Sequence, residues 1–191
     1  MAVTLPGFAD PVLDAQACFR VLLDAMARPG NIHRVGANLV APPPLCPAAA
    51  AVLLALVDGE TSVFIDPVFA DAADWLRFHC GVVPSADPGV AAFVLASGLP
   101  DLSSLACGSD EGPEDAATVI VQVSGFGEGA SLMLMGPGLQ YPTELHVTGL
   151  PADFAARWAE NHKLFPRGID LILCAADRLV ALPRSLTITE S

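Results

Sequence analysis

The segment NHKLFPRGIDLIL, residues 161–173, contains the single lysine of the chain, Lys163, next to His162. A lysine amine can form a Schiff base with a carbonyl group when desolvation keeps the amine uncharged. The same side chain can also be an ordinary surface charge. Glu160 stands three residues earlier, where an exposed ion pair along one helix is common. Because no phosphate-binding glycine loop accompanies the lysine, we predict a surface charge.

Asp170 opens an apolar strand predicted over residues 169–174, and a carboxylate in that position needs a charged or hydrogen-bonding partner. The next strand is predicted over residues 178–183, and Arg184 follows it. A three-residue turn between the strands would place Asp170 opposite Leu182, with Arg184 diagonally on the same face. A two-residue turn would point Arg184 away. The two residues are predicted to form either a structural ion pair or part of a binding site.

The motif LRFHC, residues 76–80, places Arg77 and His79 at the end of a predicted helix. Cations in the last turn of a helix interact favourably with the helix dipole, by about 0.3–1 kcal/mol each. That interaction alone can explain both residues. The alternative is that the two side chains bind an anion together.

Other motifs exclude several kinds of site. GFGEG, residues 125–129, lacks the G-x-G-x-x-G spacing of a dinucleotide loop and has predicted strands on both sides, so it is predicted to be a hairpin turn. No G-x-S-x-G elbow of an α/β-hydrolase is present. The histidines and cysteines show no metal-ligand spacing, which argues against a metal site and a disulfide framework. They are His33, His79, His146, His162, Cys18, Cys46, Cys80, Cys107 and Cys174.

Composition narrows the possible partners. Apolar residues make up 53% of the chain and charged residues 16%, which indicates that much surface is buried in the fold or against another protein. The formal net charge of −12 argues against nucleic-acid binding, which needs Lys and Arg at the phosphates. The apolar run AAAAVLLALV, residues 48–57, is shorter than the roughly 18 residues that span a membrane. MAVTLPGFADP shows no signal-peptide pattern, and we expect a cytoplasmic protein.

Hydrophobic periodicity predicts the elements that position these residues. Helices are predicted over residues 11–27, 48–58 and 71–79 and from Pro151 to about Lys163; Asp10 caps the first, which has Pro11 in its first turn. Strands are predicted over residues 31–35, 62–66, 91–96, 117–123, 131–136, 144–149, 169–174 and 178–183. This order of elements predicts one three-layer α/β/α domain with a mixed sheet over residues 1–191.

Four segments together resemble a known family. DAMARPG (24–30), LRFHC (76–80), FPRGIDLIL (165–173) and RLVALPRS (178–185) are similar, in order and separation, to the PhnH family, whose members belong to the carbon–phosphorus lyase complex. The resemblance runs from the first predicted helix to the last predicted strand.

The resemblance implies a fold like the large domain of pyridoxal-phosphate-dependent transferases, without that cofactor. It also implies a homodimer and membership of an assembly with the G, I and J subunits of the lyase. That system transfers an alkylphosphonate to the ribose C1 of a nucleoside triphosphate and later cleaves the carbon–phosphorus bond. An accessory or architectural role without cofactor is therefore expected for this chain.

If the chain holds a ligand, we expect a phosphonate or nucleotide-like anion. The candidate ligand-binding residues, taken from the matched segments, are Arg28, Arg77, His79, Asp170 and Arg184. Two other functions stay open. One is a stand-alone binding protein for a small anion, and the other is an independent pyridoxal-phosphate enzyme that uses Lys163.

Overall fold

The computed structural model describes residues 5–190. The helices in this range are α1 (Pro11–Ala27), α2 (Pro47–Leu56), α3 (Ala70–Cys80) and α4 (Phe154–His162). The strands are β1 (His33–Arg34), β2 (Val63–Ile65), β3 (Pro84–Ser85), β4 (Phe93–Ala96), β5 (Thr118–Gln122), β6 (Gly125–Met135), β7 (Thr143–Thr148), β8 (Asp170–Ala175), β9 (Arg178–Leu182) and β10 (Thr187–Glu190). Each predicted helix is present, whereas β3 and β10 were not predicted.

The first helix begins as its sequence predicts. Asp10 Oδ1 accepts hydrogen bonds from the backbone N–H groups of Val12 and Leu13, at 3.1 and 3.0 Å. Pro11 occupies the first turn, where its missing N–H leaves no helical hydrogen bond unmade.

The central sheet is mixed and has the strand order β1-β9-β8-β5-β4-β2-β3. Five neighbouring strands, β3, β2, β4, β5 and β8, run parallel, and β9 is antiparallel to both β8 and β1. The parallel strands therefore end together at one side, the carboxyl end of the sheet. They begin together at the other, the amino end, where β8 starts at Asp170.

Three helices cover one face of this sheet. Val63, Leu95, Ile120 and Ile172 of the strands lie in one buried cluster with side chains of α1, α2 and α3. In α2, residues 48–53 are completely buried. The apolar run that is too short to span a membrane is therefore part of the core. No helix within residues 5–190 combines the length and apolar character needed to cross a membrane.

The opposite face packs against a layer that contains both sheet and helix. Val119, Val121, Leu171 and Leu173 share a second buried cluster with α4 and with a three-stranded antiparallel sheet of order β10-β6-β7. The predicted α/β class and mixed sheet are confirmed. The third layer contains α4, but it also contains β6, β7 and β10, which bury their apolar residues beside that helix.

The predicted hairpin turn at GFGEG is also wrong. Residues 125–135 form one strand, β6, which pairs with β7 and not with β5. The pairing shifts between Phe126 and Ala130, so this stretch is a bulge. Gly129, at φ +93°, is required because a Cβ there would lie 2.5 Å from the carbonyl oxygen of Val147. The glycines thus serve a bulged strand and a close backbone approach.

Candidate functional site

Asp170 and Arg184 form an ion pair at the amino end of the sheet. Their side chains are 19% and 14% exposed, respectively. The Asp170 carboxylate accepts from the Arg184 backbone N–H at 2.7 Å and from Nε at 3.1 Å, and Nη2 donates to Oδ2. The guanidinium therefore donates hydrogen bonds to the carboxylate from two neighbouring nitrogens, a geometry that is both strong and directional.

The pair forms although the turn between β8 and β9 has only two residues, 176–177. The register places Leu171 opposite Leu182. We predicted that this turn length would point Arg184 away from Asp170, and that part of the reasoning is wrong. The strand ends at Leu182. Beyond that residue the chain leaves the ladder, so the alternation of side chains no longer fixes the direction of Arg184.

The remaining polar groups of Arg184 bind other segments of the chain. Nη1 donates to the carbonyl oxygen of Pro113 at 2.6 Å. His162 Nδ1 lies 3.0 Å from the Arg184 carbonyl oxygen, which can only accept, so this nitrogen carries the proton. Arg184 thus ties together the start of β8, the end of α4 and the loop before β5. This arrangement is a structural junction in which the charges are already paired.

Arg77 and His79 have different partners. Arg77 Nη1 donates to Asp74 at 2.8 Å, and its side chain is 55% exposed. His79 Nε2 lies 3.0 Å from the carbonyl oxygen of Leu5, which also accepts from Trp75 Nε1 at 3.0 Å. The ring of His79 lies against Gly7, where an added Cβ would be 2.8 Å from Nδ1. His79 and Trp75 therefore fasten the segment before α1 to α3.

Arg28 ends α1 and pairs with Asp24 of the same helix at 2.5 Å, with its side chain 67% exposed. His33 Nε2 lies 3.8 Å from the other oxygen of Asp24. Each of the three candidate arginines thus has its own aspartate. Among the five predicted residues, the structure brings only Asp170 and Arg184 into contact.

Lys163 is a surface charge, as predicted. Its Nζ lies 2.6 Å from Glu160 Oε1, and the two side chains are 67% and 72% exposed. The amine is therefore hydrated and paired, unlike the desolvated lysine that Schiff-base chemistry requires.

At the carboxyl end of the sheet, Gln122 fixes the start of α2. Its Oε1 accepts from the backbone N–H of Cys46 at 2.8 Å, and its Nε2 donates to the Pro44 carbonyl oxygen at 2.8 Å. The N–H of Ala48 donates to the Ala176 carbonyl oxygen at 2.9 Å. These contacts use N–H groups that could otherwise have bound an anion. The sequence analysis did not single out Gln122, since a glutamine at a strand end carries no pattern of its own.

An arginine at this end was also missed. The guanidinium carbon of Arg178 lies 5.8 Å from the centre of the Phe126 ring. The sequence held a signal for it, because Arg178 opens the matched segment RLVALPRS in which only Arg184 was considered. Phe126 likewise stands within GFGEG, which was dismissed as a turn.

Two grooves are present away from the predicted site residues. One, of about 460 Å³, lies between residues 6–9, α1 and residues 34–39. The other, of about 370 Å³, lies between residues 101–103 and α4. None of the five predicted residues lines either groove.

The five cysteines are free thiols, and four of them lie in surroundings that favour the neutral form. Burial raises the pKa of Cys18 to about 12 and that of Cys80 to about 11. Burial also raises the pKa of Cys46 and Cys174. Neutral thiols are poor nucleophiles and poor metal ligands. Within residues 5–190 no group of three or more His, Cys, Asp or Glu side chains is placed to hold a metal ion.

Comparison with known proteins points to the same family as the four segments singled out in the sequence. Residues 6–189 match the family described as bacterial phosphonate metabolism protein (PhnH). The chain is 39% identical over 184 residues to the alpha-D-ribose 1-methylphosphonate 5-triphosphate synthase subunit PhnH of Rhizobium meliloti (strain 1021), covering 94% of this chain and 92% of that protein. It is 38% identical over 171 residues to the "Putative C-P lyase subunit protein HtxG" of Stutzerimonas stutzeri, covering 89% of this chain and 83% of that protein. The chain belongs to the PhnH family of bacterial phosphonate metabolism proteins.

Proposed function

We propose that this chain is an accessory subunit of a carbon–phosphorus lyase complex in phosphonate metabolism. Two similar proteins that align over most of the chain are named as subunits of such systems. The structural observation that carries the proposal is an exposed apolar surface on α1. The charged residues that could have done chemistry are instead largely paired within the chain.

The α1 outer face consists of Val12, Leu13, Phe19 and Leu23, which are 77%, 61%, 44% and 54% exposed. Val12, Phe19 and Leu23 follow the spacing that places side chains along one side of a helix. Large apolar side chains grouped on a surface mark an interaction site in soluble proteins. This face supports a role in which the chain contacts other subunits.

The finer features follow the family resemblance and are part of the same proposal. The chain forms a homodimer in the cytoplasm and assembles with the G, I and J subunits. It supports the transfer of an alkylphosphonate to the ribose C1 of a nucleoside triphosphate, while other subunits carry the reacting groups. Its fold is a single domain related to the large domain of pyridoxal-phosphate-dependent transferases, and it works without that cofactor.

A ligand at the predicted residues is a separate part of the proposal. If a phosphonate or nucleotide-like anion binds there, replacing Arg77 or Arg184 with alanine should weaken assembly or phosphonate-dependent growth. Full activity of both variants would rule out a shared ligand-binding site formed by Arg28, Arg77, His79, Asp170 and Arg184. Because Asp170 and Arg184 stabilise the fold, the amount of folded protein must be measured in parallel.

Growth on a phosphonate tests the role of the α1 outer face. A strain that lacks the gene for this chain would be supplied with the wild type, with the double variant Phe19→Glu/Leu23→Glu, or with Val83→Glu. Val83 is 72% exposed and precedes β3, at the opposite edge of the sheet from β1 and β9, the strands that α1 contacts. It is therefore a matched control for adding a charge to an exposed apolar position.

The double variant should lose growth on the phosphonate but grow normally on inorganic phosphate, with an unchanged melting temperature of the isolated chain. The Val83→Glu variant should grow like the wild type on both. Normal growth of the double variant on the phosphonate would contradict the proposed role of the α1 outer face.

A further inference from the structure

Arg178 has donors that the protein does not use. Six arginines lie within 4.0 Å of a carboxylate oxygen, namely Arg28, Arg34, Arg77, Arg157, Arg167 and Arg184. In the part of the chain that the structure describes, the Arg178 side chain has neither an ion pair of this kind nor a hydrogen bond, and its guanidinium rests on the Phe126 ring. Its nitrogens are not among the buried polar atoms without a partner, so solvent reaches them.

The nearest carboxylate in sequence is already engaged. Asp177 Oδ2 accepts from Arg34 Nε at 2.9 Å and also from Nη2. The hydrogen bond with Arg34, and to a smaller extent the charge of Arg178, hold the pKa of Asp177 below its usual value. In a chain with a net charge of −12, a partly buried arginine without a bonded carboxylate is unusual.

The backbone beside the Phe126 ring is open. Apart from their neighbours in the chain, neither Gly125 nor Gly127 has an atom within 4 Å of the position that a Cβ would occupy. Residues 127–129 form the bulge of β6 and have no ladder partner on β7. Phe126 itself is only 8% exposed, so its ring is a fixed support for the guanidinium. Arg178 thereby rests on a fixed ring, and the neighbouring backbone at Gly125 and Gly127 stays open.

This position lies at the carboxyl end of the sheet. Arg178 begins β9 directly after the turn from β8, opposite Ala175, the last residue of β8. Ligands in open α/β sheets bind outside the carboxyl ends of the parallel strands. The first residues of β6 stand beside the same end, because only two residues separate them from the end of β5.

We propose that Arg178, supported by Phe126 and the open backbone at Gly125 and Gly127, binds a tetrahedral oxyanion of the phosphate or phosphonate class. A guanidinium presents parallel N–H donors that match two oxygens of such a group. The site differs from the Asp170–Arg184 pair, which lies at the amino end of the sheet. The assembly role proposed above needs no ligand, so either proposal can fail without the other.

Nuclear magnetic resonance titration of the full chain tests the site. Inorganic phosphate and methylphosphonate are added in separate arms, each at ionic strength held constant with sodium chloride. The signals followed are the backbone amides of Gly125 and Gly127 and, in the wild type, the Nε–H of Arg178. The variants are Arg178→Met and Arg178→Lys, and Arg20→Met is the control for the lost charge because Arg20 is exposed on α1.

The three signals should move together and saturate in at least one arm. The half-saturating concentration should rise at least about tenfold in Arg178→Met, as expected for losing hydrogen bonds to a charged group. The half-saturating concentration should also rise in Arg178→Lys, which keeps the charge but lacks the parallel N–H donors of the guanidinium. It should stay unchanged in Arg20→Met. Saturation in one arm alone identifies the source as a phosphate or a phosphonate.

Signals that stay still in both arms would overturn the proposal. Signals that titrate identically in the wild type and Arg178→Met would do the same. If Arg178→Met does not fold, the wild-type Nε–H signal and the Arg178→Lys variant decide the question.

Discussion

The Asp170–Arg184 pair should contribute strongly to the stability of the fold. Replacing Asp170 with asparagine leaves a guanidinium that is only 14% exposed without its counter-charge. Removing one partner of a fully buried ion pair costs about 3–5 kcal/mol. Because water still reaches the edge of this pair, we expect Asp170→Asn to lower the free energy of unfolding by about 2–4 kcal/mol. The melting temperature should fall by roughly 5–15 °C.

A double-mutant cycle measures the interaction itself. Urea unfolding would be followed by circular dichroism for the wild type, Asp170→Asn, Arg184→Met and the double variant. The coupling energy between the two positions should be about 2 kcal/mol, because double replacement removes both the carboxylate and the charge left without it. A parallel cycle on Glu160 and Lys163, whose side chains are 72% and 67% exposed, should give a coupling energy below about 0.5 kcal/mol.

The comparison between the two cycles is decisive. A coupling energy for Asp170 and Arg184 below about 0.5 kcal/mol, or no larger than that of the surface pair, would refute the conclusion that this pair is a structural junction.

Three other predictions follow from the same structure. Stoichiometric pyridoxal phosphate followed by borohydride should give no imine absorbance and no adduct on Lys163 by mass spectrometry, since this amine is exposed and paired. Because the pKa of Cys18 is raised from 9.0 to about 12, the contribution of its neutral thiol to stability is complete below pH 9 and is lost as the pH rises towards 12. In urea unfolding, the free energy of unfolding should therefore fall between pH 8 and pH 10, and it should fall less in Cys18→Ala. Replacing His79 with alanine should speed amide hydrogen exchange in residues 5–9 and lower the free energy of unfolding by about 1 kcal/mol, because one of two hydrogen bonds to Leu5 is removed. Unchanged exchange would contradict the conclusion that His79 fastens the segment before α1 to α3.

The sequence predicts the helices and central strands of this fold well because their signals are local. Asp10 and Pro11 mark the start of α1, and the apolar run of residues 48–57 marks α2. The consecutive apolar residues of β5 and β8 are typical of strands buried on both faces. The α/β class and mixed sheet follow from these elements alone.

Features that depend on distant partners could not be predicted in the same way. The glycines of β6 suit a turn equally well until the pairing of β6 with β7 is known. The second sheet also needs β10, a strand of only four residues at 187–190.

The candidate site shows the same limit. The Asp170–Arg184 contact was foreseen as an option, but the turn length that forms it was not, since alternation along β9 stops before Arg184. Arg28 and Arg77 were taken from the matched segments, and the structure pairs them with Asp24 and Asp74. Arg178 was overlooked because its lack of a bonded partner is visible only once every neighbour is placed.

Co-expression of this chain with the G, I and J subunits of its own system, followed by affinity capture and mass analysis of the intact complex, tests the proposed function most directly. We expect stoichiometric co-purification with the wild type and with Val83→Glu, and loss of the partners with Phe19→Glu/Leu23→Glu. A wild-type chain that purifies alone as a folded protein under these conditions would contradict the assignment as a subunit of the complex.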